Sequence, residues 1–444
     1  MPATPLESAG PAEKRFDEYL ARLAEAAGHA DRVVPLKSYC MGLLLPIERK
    51  SVEPIAARIA PGNAGKMHQS LHHLVADAPW DDEALLTIVR NSVIPVITSN
   101  APLRAWIVDD TGFPKKGKHS VGVTRQYCGQ LGKQENCRVA VSLSLATEWA
   151  SLPVAYRLYL PQEWAEDEAR RIKAGVPDEV RFQTKPQIAL EQIRRMVNGK
   201  VARAPVLADA AYGNDGGFRA ALEELKLEFA VGVQSSTTVW PPGASPLPAK
   251  QWKGAGRPTS LLRRDEKHQP LSVKELALCL SPEDFRVVTW REGTKGKLRS
   301  RFAALRIRPA HRDYWKSEPG RPLGREQWLL VEWPKSEKEP AKYWFSNLPP
   351  QTTLKDLVSV AKLRWRIERD YEELKQELGL GHYEGRGWRG FHHHATLCIA
   401  AYGFLIAERS LFSPSLRAGQ VELSIPKIPP GWQPRGSAGT ARTA

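Results

Sequence analysis

Hydrophobic spacing changes character along the 444-residue chain, and each change predicts a different kind of element. Up to residue 102, apolar side chains recur every three or four positions, the period of an amphipathic helix. Phe16, Tyr19, Leu20 and Leu23 form one such stripe, and a second helix runs through Leu36–Leu45. Ser51 stands where it would cap SVEPIAARIA, a Pro-Gly-Asn-Ala-Gly turn follows at 61–65, and KMHQSLHHLVAD resumes the helical period. Helix, Gly-bearing turn, helix is the outline of a helix-turn-helix and equally of a simple bundle. Asp82 caps a further helix through Leu85–Val93.

From residue 103 the texture becomes extended. RAWIVDDTGF, SVGVTRQY, CRVAVSLSLAT and LPVAYRLYLP are rich in β-branched and aromatic residues and predict a meander. A helix at PQIALEQIRRMV, a strand ending in carboxylate at APVLADAAYG, a helix at GGFRAALEEL and a strand at LEFAVGV complete the order β-β-β-α-β-α-β. Residues 236–350 carry short strands and seven of the fourteen Trp (240, 252, 290, 315, 328, 333, 344), too long a stretch for a loop. Helical spacing returns at 351–412, and 413–444 is a Pro/Gly-rich tail of disordered composition. The expected domains are therefore a helical N-terminal domain (1–102), an α/β core (103–235), a β-rich insertion (236–350), the C-terminal helices of the core (351–412) and the tail.

Within the last helical region, KLRWRIERDYEELK (362–375) is doubly striped. At about 100° per residue, Arg364, Glu368, Glu372 and Lys375 share one line, beside an apolar line of Leu363, Ile367, Tyr371, Leu374 and Leu378. Such a helix buries one side and holds a charged row at its edge, either as surface ion pairs or as the rim of a site.

Composition is ordinary for a globular chain, but charge is not. Sixty-four Lys and Arg against 49 Asp and Glu give +15, and the first hundred residues are slightly acidic, so the excess lies beyond them. A basic surface with interleaved aromatics points to a polyanion such as nucleic acid. Five scattered cysteines support neither a disulfide framework nor a zinc site. No run of about 18 apolar residues predicts a membrane span, and the N-terminus has no signal-peptide core, so a cytoplasmic, nucleoid-associated protein is expected. His392, His393 and His394 point in three directions on a helix and cannot chelate one ion.

Carboxylates at strand ends, Asp109 or Asp110 and Asp209, and Glu368 on a later helix are costly together unless a cation neutralises them. Mg²⁺ does so with few carboxylates plus phosphate oxygens, and two ions about 4 Å apart support in-line displacement at phosphorus. Polyanion binding and carboxylate chemistry together point to phosphodiester cleavage.

The blocks IVDDTG, VLADAAYG and RWRIERDYEELK resemble the three catalytic blocks of insertion-sequence transposases of the DDE type, which share the RNase H-like fold. The order of strands and helices, read separately, is also the RNase H-like one. The likeness is nearest to the branch whose last block reads Tyr, two residues, Arg, three residues, Glu, six residues, Lys, with a β-rich domain between the second Asp and the Glu. Arg364, Glu368 and Lys375 fall on that spacing, whereas the Tyr position is Ala361. The resemblance covers about residues 103–395. It implies an α/β, RNase H-like mixed sheet interrupted by a β-rich insertion.

The resemblance further implies Asp109, Asp209 and Glu368 as catalytic metal ligands, with Asp110 the alternative first ligand or a turn residue before Gly112. Arg364 and Lys375 would grip backbone phosphates, with Arg366 or Arg369 compensating for the absent Tyr. Lys115, Lys116, Lys118, Arg125 and Lys133 read as further phosphate contacts or as a solvated basic loop. The implied cofactor is Mg²⁺, with Mn²⁺ as substitute, at two ions. The implied partners are double-stranded DNA, as terminal inverted repeats and target, and a second copy of the chain in a synaptic complex. The implied reaction is cut-and-paste transposition by cleavage and strand transfer. An RNase H-like nuclease or resolvase without strand transfer, and an inactive DNA-binding derivative, are the rivals.

Overall fold

A computed structural model of the chain describes residues 11–247, 254, 264–266, 268–293, 296–310 and 324–412. The tail after 412 and Trp252 and Trp315 lie outside the described residues. The chain divides into two compact units, one made of Met1–Pro102, Asp110–Gln183 and Glu368–Ala444, the other of Leu103–Asp109 and Thr184–Ile367.

The first unit opens with α1 (Ala12–Ala26), α2 (Ala30–Leu44), α3 (Val52–Ile59), α4 (Ala64–His72) and α5 (Asp82–Thr98). The turn between α3 and α4 keeps the helix-turn-helix outline. At α5 the cap is Asp81, one residue earlier than the sequence suggested, because its carboxylate accepts the Glu83 N–H at 2.9 Å. Asp82 instead accepts from the Thr396 hydroxyl at 2.7 Å, and burial pushes its carboxyl up to about 7. Strand β1 (Ala105–Pro114) contributes its residues from Asp110 onward, followed by the meander β2 (Thr124–Cys128), β3 (Lys133–Ala146) and β4 (Ser151–Leu158) and the short helices α6 (Gln162–Ala165) and α7 (Glu168–Ala174). Thr124 faces Cys137 across β2 and β3, and Leu143 faces Ala155 across β3 and β4.

The second unit begins with residues 103–109 and continues through α8 (Lys185–Asn198), β5 (Val206–Ala208), α9 (Ala210–Gly213), α10 (Gly216–Glu224) and β6 (Phe229–Val233). A capping box of Thr184 and Gln187 fixes the start of α8. After β7 (Thr238–Trp240), β8 (Leu271–Ser272) and α11 (Val273–Leu278) come the long antiparallel strands β9 (Arg286–Gly293), β10 (Gly296–Pro309), β11 (Gln327–Glu332) and β12 (Lys342–Ser346). Within this unit β1, β5 and β6 are parallel neighbours. β12 then pairs with the free side of β6, Phe345 opposite Val231, so the strands of 236–350 prolong the same mixed sheet. That pairing satisfies an edge that would otherwise expose a row of backbone groups.

Helix α12 (Leu354–Lys362) is fixed to this extension by Lys362, whose ammonium sits 2.5 Å from Glu332 and over the rings of Trp290, Trp344 and Phe302. The other described tryptophans of the segment also pack or bond internally. Trp328 donates to the Pro349 carbonyl and Trp333 to Glu337, and Trp240 is buried. The predicted single helix over 362–375 is broken. Leu363 and Arg364 form a turn, and α13 (Trp365–Gln376) starts anew. Lys362 is held in its aromatic cage and Trp365 under the Arg291 guanidinium at 3.7 Å, so side chains on both sides of the turn are anchored.

Back in the first unit, α14 (Trp388–Phe412) is the core helix. By length and composition it could cross a membrane, but 78% of its apolar window is buried within the protein. Tyr19 donates to the Ala400 carbonyl at 3.0 Å, Phe16 packs on Phe404, and Arg15 pairs with Glu408. The three histidines serve three separate places. His392 accepts the Leu158 N–H at 3.1 Å, His393 lies between the Val75 and Trp80 carbonyls and stacks on the Trp80 ring, and His394 meets the Tyr39 hydroxyl at 2.8 Å. Burial lowers each from 6.5 to about 4.

The folded chain therefore binds fewer protons than the unfolded chain between those two values. The stability this contributes is complete above 6.5 and is lost as pH falls towards 4. The urea midpoint is expected to drop between pH 7 and pH 5. His392→Asn should lower it at pH 7 while removing about a third of that pH dependence.

Candidate active site

Parallel pairing brings two carboxylates together in the second unit. Trp106 is opposite Val206 and Ile107 opposite Leu207, and the same offset carried two residues beyond the paired ones would bring Asp109 level with Asp209. Neighbouring strands lie about 4.8 Å apart. Side chains alternate along a strand, so Asp110 projects from the face opposite to Asp109. Asp109 lies inside β1, which runs on to Pro114, and is not at a strand end as the sequence suggested. Asp209 does stand at a strand end, where its carboxylate caps α9 by accepting the Ala211 N–H at 2.9 Å.

The turn into α9 needs its glycine. A Cβ on Gly213 would drive into the Gly232 carbonyl oxygen of β6, and one on Gly232 would stand 3.2 Å from the Asp209 carbonyl carbon. The buried Arg219 donates to the Gly213 carbonyl from α10. ADAAYG is thus a close backbone approach that sets where Asp209 starts.

Arg364, in the turn before α13, donates to the Asp109 carboxylate at 2.7 Å, with the side chains 26% and 15% exposed. Next to it the Trp365 ring lies between the guanidinium groups of Arg291 at 3.7 Å and Arg366 at 4.6 Å. Ala361, at the place of the family's Tyr, is buried on α12.

In the first unit Glu368 is exposed on the opening turn of α13. Glu372 is also exposed and is taken up by Arg369 at 2.8 Å. Lys375 donates to the Gly112 carbonyl at 2.9 Å and to Gln130 at 3.2 Å over the Phe113 ring, and burial pulls its ammonium down to about 8. Lys115 donates to the Tyr383 carbonyl at 2.9 Å and is likewise lowered to about 8, by burial first and then by Arg138. Lys116, Lys118, Arg125 and Lys133 are exposed, Lys133 beside Glu135.

Sequence reasoning passed over Asp370, which is buried and accepts from Ser151 at 2.5 Å and Tyr402 at 3.1 Å. Its signal was present, since it lies three residues from Ile367 and four from Leu374, on the apolar stripe. With the Tyr371–Ser142 hydrogen bond it ties the buried face of α13 to β3, β4 and α14.

Among the described residues no group of three His, Cys, Asp or Glu is gathered closely enough to hold an ion. A guanidinium engages the Asp109 carboxylate. The arrangement offers a carboxylate pair and a cation.

Comparison with known proteins adds the following. The sequence profile of the DDE superfamily endonuclease family matches residues 22–297, a span that includes Asp109 and Asp209 and stops before Glu368. A probable transposase for insertion sequence element IS701 from Microchaete diplosiphon is 31% identical over 229 residues, 51% of this chain. The match spans 56% of that relative's length.

Two substitutions test the geometry. Gly213→Ala should destabilise by about 1–3 kcal/mol in chemical denaturation, since backbone and not a flexible side chain must yield. Lys375→Met should stabilise by about 1–2 kcal/mol at pH 7. The sign follows from the lowered value, because charged Lys375 is disfavoured in the folded state. The gain should fade as pH rises from about 8 to 10.5, where the lysine loses its charge in both states.

Proposed function

The chain belongs to the DDE superfamily of endonucleases, and from that membership we propose that it is an insertion-sequence transposase acting on DNA in the cytoplasm. The observation that carries the reading is the parallel pairing of β1, which holds Asp109, with β5, which Asp209 directly follows, together with the Arg364 guanidinium on the Asp109 carboxylate. Carboxylates paired in this way are a place for a divalent cation, and a cluster of guanidinium groups is a place for phosphate.

In this proposal the catalytic carboxylates are Asp109, Asp209 and Glu368, with Asp110 set aside because it leaves the opposite face of β1. Endonucleases of this superfamily work with divalent metal ions, and Mg²⁺ or Mn²⁺, two per site, would supply Lewis-acid activation when bound. What the chain itself supplies is orientation. Arg364, Arg366, Lys375, Lys116 and Arg125 face the charge of the DNA backbone, and Lys115, bonded to the Tyr383 carbonyl, holds the loop that carries Lys116. Water attacks a phosphodiester at the element end, the new P–O bond forms, and the 3′ oxygen leaves with a proton as a free hydroxyl. That hydroxyl attacks a target phosphodiester, gives up its proton, and displaces the target's own 3′ oxygen. Terminal inverted repeats are the recognised ends, and two copies of the chain hold them in one synaptic complex.

The test is incubation with a labelled terminal-repeat duplex and a target plasmid, with and without Mg²⁺. Metal-dependent cleavage and joined products are expected. Asp109→Asn, Asp209→Asn and Glu368→Gln should each lower cleavage about a hundredfold or more while leaving duplex binding in place. Nicked products without joining would move the reading to a nuclease or resolvase. Binding without cleavage on genuine ends would move it to an inactive derivative.

A further inference from the structure

Arg364 occupies the carboxylate that the proposed chemistry needs. A permanently charged guanidinium at 2.7 Å from Asp109 excludes a second cation from that oxygen, because an arginine cannot shed its charge to make room. It also offsets the repulsion between Asp109 and any carboxylate nearby. The position of Arg364 makes the contact exchangeable. It sits in the two-residue turn between α12 and α13, its side chain is more exposed than that of Asp109, and the Trp365 ring beside it carries two further guanidinium groups. A phosphate of a DNA strand reaching this cluster offers Arg364 the same two-oxygen geometry that the carboxylate does.

We propose that Arg364 is a substrate-released latch: without DNA it holds Asp109 closed to divalent cations, and a strand phosphate draws it away and opens the carboxylate. This rests on the assignment of Asp109 and Asp209 as ligands. Arg364 is then a positioning residue whose two partners compete. Cation affinity and DNA affinity are coupled, each raising the other by the same factor. If the latch is closed in about ninety to ninety-nine of a hundred molecules, the apparent cation affinity of the free protein is reduced by about ten- to a hundredfold.

The experiment measures Mn²⁺ binding by electron paramagnetic resonance on the full chain, with and without a short duplex. For the native protein the duplex should tighten Mn²⁺ binding by about tenfold or more. Arg364→Gln should bind Mn²⁺ about tenfold tighter than native without DNA and gain nothing further from the duplex. Arg364→Lys, which keeps a charge, should fall nearer to native. Adding Asp109→Asn to Arg364→Gln should erase the gain, which a merely structural role would not do. Equal native affinity with and without the duplex overturns the latch, and this arm needs no variant to fold. Equal affinity of native and Arg364→Gln, with binding still lost in Asp209→Asn, overturns the latch while the carboxylate assignment stands. Mn²⁺ binding that is absent in every arm overturns both.

Discussion

Two carboxylates brought towards one another by neighbouring strands repel, and a cation close by offsets that repulsion. Much of the second unit answers that constraint. The β1–β5 register carries β1 past the end of β5, where Asp209 begins α9, and the close approach of Gly213 and Gly232 fixes the segment that follows β5. The prolongation of the sheet through β12 makes β6 an interior strand, so the backbone against which α9 is pressed is itself held on both sides. The arginine that neutralises the pair comes from a turn whose neighbours, Lys362 and Trp365, are each caught against the rings or guanidinium groups of β9, β10 and β12.

The first unit solves a different problem. Its core helix α14 is apolar almost throughout, yet it carries three histidines and meets the Arg15 guanidinium of α1 and the Asp82 carboxylate of α5. Each imidazole has a separate backbone or hydroxyl partner, which gives the packing its register, while burial favours the neutral ring. Asp370 plays the same part on α13, where two hydroxyl groups converge on one buried oxygen. A helix that must present a charged row on one side is anchored by polar bonds on the other.

Much of this was legible in the sequence because periodicity and chemistry coincided. The meander of β-branched strands, the alternation of strand and helix to β6 and the helical N-terminal region all follow from spacing, and the α/β class with them. IVDDTG and VLADAAYG drew attention to Asp109 and Asp209 because each closes an apolar run with a carboxylate and resembles a catalytic block, although Asp209 also caps α9. Other features were not readable. The break at Leu363 and Arg364 leaves no mark in a pattern that continues smoothly through it, since its anchors lie on strands some 20 to 75 residues earlier in the chain. The pairing of Arg364 with Asp109 is hidden for the same reason. Asp370 could have been found, as a carboxylate on an apolar stripe. The cap of α5 was missed by one residue because Asp81 and Asp82 are chemically alike, and only their surroundings assign one to the N–H of Glu83 and the other to Thr396.

The Arg364–Asp109 contact joins residues 255 positions apart. On a ribosome adding about 5–20 residues per second, the strand bearing Asp109 emerges roughly 10 to 50 seconds before its arginine. During that interval the growing chain holds a carboxylate without its counter-charge and lacks α13 altogether. Order of synthesis thereby sets the order of assembly: a chain that stops before residue 364 has neither the arginine turn nor the helix of Glu368.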